Sequence, residues 1–142
     1  MEDIREQDIA IIGISLRFPG AKNHKIFWDN LCCNVESIIF SNVQNNHTVD
    51  ENYVNAAALL EDIDLFDAKF FGYNKKDAEL MDPQHRIFLE CVHECFEDSG
   101  YNSALIGART SVFAGASISS YLINNLNPIY NPHSNQNFFI VF

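Results

Sequence analysis

The run Asp82 to Gly100, DPQHRIFLECVHECFEDSG, leaves little choice but a helix with one face committed to packing. Asp82 offers a carboxylate to the unpaired amides of a first helical turn. Pro83 falls at the first helical position, where a missing N–H costs nothing. Ile87, Phe88, Cys91, Val92, Cys95 and Phe96 recur at helical spacing and form one apolar stripe. Glu90, Glu94, Glu97 and Asp98 are expected on the outer face, and Gly100 supplies the left-handed residue that commonly ends a helix. Just upstream, Asn74 is placed to cap a short helix through Met81. Fully burying the stripe contributes roughly 1.5–3 kcal/mol per large side chain, so this helix requires a body to pack on.

The rest of the chain bounds that body. At 142 residues it is one domain at most. Hydrophobic content of 47% and charged content of 20% describe a globular protein. The formal net charge of −10 argues against nucleic acid, because no basic patch exists to neutralise phosphates. No run approaches the roughly 18–20 apolar residues of a membrane span, and the opening MEDIREQ is charged, unlike a signal peptide. The cysteines, Cys32, Cys33, Cys91 and Cys95, show no secreted disulfide framework and imply a reducing, cytoplasmic setting.

In order, residues 1–7 read as a polar lead-in. Asp8 to Ile14 reads as a buried strand, continuously apolar from Ile9 to Ile12, broken by Gly13 and the turn Arg17-Phe18-Pro19-Gly20. The run GISLRFPG has neither dinucleotide-binding glycine spacing nor the Lys-Ser/Thr pair of a P-loop. Asn23 can cap a helix to about Cys33, with Phe27, Trp28 and Leu31 inward. Val35 to Phe40 is a short apolar run with strand character, and Ser41 to Asn55 reads as a surface loop. Ala56 to Leu65 leads back to the core; its acidic residues Glu61, Asp62 and Asp64 lack calcium-loop spacing and read as solvated. After the long helix, Tyr101 to Arg109 is a loop and Thr110 to Ala114 a second buried strand. Gly115 to Ser117 opens a tight turn, and Ile118 to Leu126 has helical character. GASISS does not complete a G-x-S-x-G nucleophile turn, since Ser119 stands where the second glycine belongs. Asn127 to Asn137 is coil, and Phe138 to Phe142 is an apolar run with the look of something buried.

Taken together, ELMDPQHRIFLE, the preceding LFDAKFFGYNKKDA and the following CFEDSGYN resemble the N-terminal part of the ketosynthase (β-ketoacyl synthase) domain of modular polyketide synthases. DIAIIGISLRFPGA, FWDNL and RTSVFAGASISSYL extend the resemblance in the right order, from Asp8 to Leu126. It implies the layered α/β architecture of the thiolase-like fold, with residues 8–142 as an incomplete N-terminal portion. It also implies a parent reaction: acyl transfer and decarboxylative Claisen condensation on carrier-protein thioesters. The substrates would ride on the phosphopantetheine of an acyl carrier protein, and the parent enzyme would be a homodimer. No cofactor or metal is expected on this chain itself.

The catalytic residues that the resemblance implies do not occur in these residues. Ketosynthases use a cysteine in a T-A-C-S-S context and histidines in H-G-T-G-T and N-x-G-H contexts, a thiol nucleophile with donors aimed at the developing charge. None of Cys32, Cys33, Cys91 or Cys95 has that context. Cys91 and Cys95 read as packing residues. His85 lies six residues before Cys91, and His93 points about 160° from the cysteine stripe, so neither completes a zinc spacing. His24, His47 and His133 have no evident partners. No catalytic, cofactor-binding or metal residue is therefore assigned, and the pattern stops about one element before the nucleophile.

Two functions of different class follow. One is the N-terminal fragment of a ketosynthase, inert alone. The other is a non-catalytic, ketosynthase-derived interaction module that pairs with a partner supplying the missing strands. An independent nucleotide-binding domain is disfavoured by the missing phosphate-cradling glycines. Either way, the isolated chain is expected to be poorly stable, with apolar surface shaped for a larger core.

Overall fold

The computed structural model describes residues 8–40, 54–102 and 110–126. Local signals decide most of what forms. Helix α1 spans His24–Cys32 and opens on Asn23, whose side chain accepts from the amides of Lys25 and Ile26 at 3.1 and 3.0 Å. Helix α2 spans Lys75–Leu80, with Asn74 as its cap, accepting from the Asp77 amide at 2.9 Å. Helix α3 runs Pro83–Ser99, and Asp82 accepts from the Gln84 amide at 2.9 Å. Gly100 follows it in the left-handed region, φ 72°.

The strands turn out differently. A two-stranded antiparallel ladder joins β1, Ile39–Phe40, to β2, Ala56–Ala57, in the register Ile39 with Ala57 and Phe40 with Ala56. The apolar run from Val35 thus pairs only at its end. Asp8 to Ile14 and Thr110 to Ala114, expected as buried strands, join no ladder among the described residues. Ile9 is 95% exposed and Phe113 93%. Apolar content can prepare a segment for a sheet interior, but only neighbouring strands complete it. The described residues are therefore mostly helical with one small sheet, and the expected layered α/β architecture is present only in part. Of the run Ile118 to Leu126, residues 120–126 are helical, ending in a π-helical turn at Leu122–Leu126.

The chain divides into two compact units, Met1–Asp62 with Cys91–Leu105, and Ile63–Glu90 with Ile106–Phe142. Each is thinly cored. Among the described residues the buried apolar side chains are Ala21 in the first unit and Ala78 in the second. The α3 stripe is half-buried at Ile87, Cys91, Val92, Cys95 and Phe96, and Phe88 is exposed. Aromatic contacts supply much of the remaining packing. Phe18 stacks on Phe27 with ring centroids 4.6 Å apart in the first unit, and Phe66 on Phe71 at 5.1 Å in the second. The readings of residues 1–7, of most of the loop from Ser41, of residues 103–109 and of everything after Leu126 lie outside the described residues.

Candidate functional site

In the first unit, the segment after the apolar N-terminal run is held on the second half of α3. Glu94 receives Arg17 twice: Nη1 donates to Oε2 at 2.7 Å, and Nη2 donates to Oε1. Ser15 Oγ donates to the same Oε2 at 2.7 Å, and the Ile14 amide donates to Asp98 Oδ2 at 2.9 Å. Hydrogen bonding from Arg17 holds the Glu94 carboxyl below its ordinary range despite partial burial. Glu94 and Asp98 were expected on a solvent-facing side, and here they serve as acceptors. The reason is local demand: a backbone amide, a hydroxyl and a guanidinium of a non-helical segment need partners, and α3 presents carboxylates to them. Gly13 permits the approach, since a Cβ there would lie 2.4 Å from the Cys95 carbonyl oxygen.

The acidic cluster is likewise engaged in part. Lys22 Nζ lies 2.8 Å from Asp62 Oδ2 and 3.6 Å from Glu61 Oε2, and Asp62 raises the lysine's pKa. This is an exposed ion pair of small energetic consequence.

In the second unit, the corner between α2 and α3 is tied to the strip Ser117–Tyr121. Ser119 Oγ donates to Asp82 Oδ2 at 2.5 Å and accepts from the Leu122 amide at 3.0 Å. Gln84 exchanges bonds with Ser117, its Nε2 donating to the carbonyl oxygen and its Oε1 accepting from the amide, both at 3.2 Å. Tyr121 donates to the Glu79 carbonyl oxygen at 2.7 Å. Burial pushes the Asp82 carboxyl up, but bonds from Ser119 and Gln84 outweigh it and hold it below its ordinary value. Between these ties lies a cavity of about 480 Å³, walled by Leu80, Met81, Leu122 and Leu126, with Asp82 and His85 on its rim. Both functions of the Ser119 hydroxyl are spent on tethering, which fits the tight turn read from GASISS better than a nucleophile. The tether itself was not legible, because its partners lie 33 to 42 residues apart.

Among the described residues the thiols and imidazoles do not converge. Cys32 and Cys33 are exposed at the end of α1, and Cys91 and Cys95 are half-buried on α3. His93 meets Glu97 at 3.4 Å, one turn on. Among the described residues no three His, Cys, Asp or Glu side chains group as metal ligands. No helix among them is long and apolar enough to cross a membrane. His47 and His133 lie outside the described residues.

Helices fixed by Asn23, Asn74 and Asp82-Pro83, beside one small sheet, are what the described residues offer for comparison with known proteins. The chain belongs to the β-ketoacyl synthase family, whose N-terminal domain it matches over residues 6–141. It is 40% identical over 131 residues to a component of the phenolphthiocerol/phthiocerol polyketide synthase of Mycobacterium tuberculosis, covering 87% of this chain and 9% of that protein. It is 42% identical over 124 residues to the polyketide synthase PksN of Bacillus subtilis, covering 82% of this chain and 2% of that one. Among solved structures, the ketosynthase from module 6 of the bacillaene synthase of Bacillus subtilis superposes with a TM-score of 0.57 at 43% identity, over 67% of this chain and 17% of that one. The module 1 ketosynthase of the Bacillus amyloliquefaciens bacillaene synthase gives 0.56 at 45%, over 65% and 17%. The chain thus spans a small part of each relative, and that part is polyketide synthase ketosynthase sequence.

Proposed function

We propose that this chain serves as the N-terminal structural portion of a polyketide synthase ketosynthase. It contributes helices and sheet-forming segments to a domain whose nucleophile and histidines come from sequence beyond these 142 residues. The observation that carries this reading is the match to the N-terminal ketosynthase domain from residue 6 to residue 141. The parent activity is acyl transfer from a carrier-protein thioester to a cysteine, followed by decarboxylative carbon–carbon bond formation. The acyl carrier protein and a second ketosynthase subunit are the corresponding partners. The layered thiolase-like sheet would then be completed around Ile9–Ile12 and Val112–Phe113, whose exposure here reflects missing neighbours.

The test is complementation. The remainder of a bacillaene-type ketosynthase, beginning after the segment matched here, is supplied as a separate polypeptide or as a fusion. Loading from an acyl thioester is followed by intact-protein mass spectrometry. The expected result is an acyl adduct on the supplied cysteine, none on Cys32, Cys33, Cys91 or Cys95, and no adduct on this chain alone. Failure of the two pieces to associate, or an adduct on this chain alone, overturns the reading.

The exposed apolar runs at Ile9–Ile12 and Val112–Phe113 also favour a second reading, a non-catalytic module that pairs with a partner supplying strands. Complementation that restores association without acyl loading selects it.

A further inference from the structure

Arg86 is the one buried charged residue among those described, at 9% exposure. It stands on the first turn of α3, where its amide donates to the Asp82 carbonyl oxygen at 3.2 Å. Its Nε has no hydrogen-bond partner, and no described residue forms an ion pair with the guanidinium. Asp82 and Glu90, four residues before and after it, are placed for such a contact by helix geometry but do not satisfy Nε. Lysine or histidine in this position could shed a proton on burial; a guanidinium keeps its charge in a protein. The charge is therefore retained, largely out of water, with Nε unpaired and no ion-pair partner among the described residues, a condition that native structures avoid unless a partner is supplied.

We infer that Arg86 is a docking residue for the rest of the ketosynthase domain, and that its partner is a carboxylate on a segment outside these 142 residues, engaged through Nε and one Nη. The open Nε edge is the edge that takes a carboxylate with two parallel bonds. A main-chain carbonyl could satisfy one N–H but would leave the charge unmatched. The inference rests on the proposed function above and deepens it: the N-terminal portion does more than contribute strands, because it also carries a buried cation that the complementary portion neutralises.

This assignment has a signature that a packing role does not share, because one substitution should act with opposite sign in two settings. In the chain alone, Arg86→Met removes a buried charge whose Nε is unpaired and keeps the side chain's length, so the urea midpoint should rise. In the complex with the supplied ketosynthase remainder, the same substitution strands a buried carboxylate. Association should then weaken about a hundred-fold or more. Arg86→Lys, which keeps charge but loses the two-pronged edge, should weaken association less than Arg86→Met. If the chain alone gives no cooperative transition, the association arm decides by itself, read by titration calorimetry. Equal association of wild type and Arg86→Met overturns the inference and leaves the proposed function standing. Failure of the wild-type pieces to associate overturns both.

Discussion

Arg17 and Glu94, 77 residues apart in sequence, meet through both arms of the guanidinium, and that pair fastens the N-terminal segment to the second half of α3. Ser15 shares the same carboxylate, and Ile14 takes Asp98 one helical turn further on. The polar contacts thus do what the apolar run from Ile9 to Ile12 does not do here, since that run remains exposed.

Removing either partner should release the segment. The side chains are 24% and 40% exposed, so solvent screening reduces what the geometry alone would give. Arg17→Ala or Glu94→Ala is expected to cost about 1–2 kcal/mol in urea unfolding. Arg17→Lys should recover less than half, because an ammonium cannot reproduce the two parallel bonds. A double-mutant cycle isolates the pair, and a coupling near zero would show the contact to be ornamental.

Acid should loosen the same contact. Arg17 holds folded Glu94 below its ordinary value of 4.5, and hydrogen bonds from Ser119 and Gln84, outweighing burial, hold Asp82 below 3.8. A depressed folded pKa means that the unfolded chain binds more protons as the pH falls through this range. The stabilisation is complete above about pH 5.5 and is lost progressively as pH drops through 4.5 and 3.8 to the lowered folded values. Glu94→Gln and Asp82→Asn should each flatten the stability profile between about pH 5 and 3. Urea midpoints measured at half-unit intervals in this window check it, and parallel profiles for wild type and variants would contradict it.

What the sequence disclosed and what it hid divide along range. Asn23, Asn74, Asp82-Pro83 and Gly100 act within a few residues of themselves, so their roles were legible in the chain. The apolar runs Ile9–Ile12 and Val112–Phe113 read as buried strands but are neither strand nor buried here, since a ladder requires neighbours that the described residues do not provide. Nothing in the helical pattern of residues 83–99 separates Glu94 and Asp98, which anchor a distant segment, from Glu97, which meets His93 one turn away. Arg86, adjacent to the stripe at Ile87, carries no local mark of burial either. The cavity beside Met81 depends on contacts across 33 to 42 residues, beyond the reach of periodicity.

Helix α2 is only six residues long, too short to persist on propensity, so its cap should matter out of proportion to its size. Asn74 both accepts from the Asp77 amide at 2.9 Å and donates its Nδ2 to Asp77 Oδ2 at 2.7 Å. Asn74→Ala should cost about 1 kcal/mol. Asn74→Asp is the sharper probe. It keeps the acceptor but sets a second carboxylate against Asp77, so it should fall below Asn74→Ser in stability, contrary to the usual ranking of caps. Carbon chemical shifts across Lys75–Leu80 and urea midpoints together read the order.

Two glycines should respond to the same substitution for different reasons. Gly100 has φ 72° with nothing within 4 Å of a Cβ, so Gly100→Ala meets only backbone strain, about 1–2 kcal/mol. Gly13 has no such dihedral constraint, yet its Cβ would lie 2.4 Å from the Cys95 carbonyl oxygen and 3.0 Å from Ser99 Cβ. Neither is the end of a flexible side chain, so the segment itself must lift from α3, taking the Ile14, Ser15 and Arg17 contacts with it. Gly13→Ala should therefore abolish the coupling between Arg17 and Glu94, whereas Gly100→Ala should leave it intact. Repeating the double-mutant cycle in each background distinguishes the two. If the coupling survives Gly13→Ala undiminished, the close approach of residue 13 does not position the clamp.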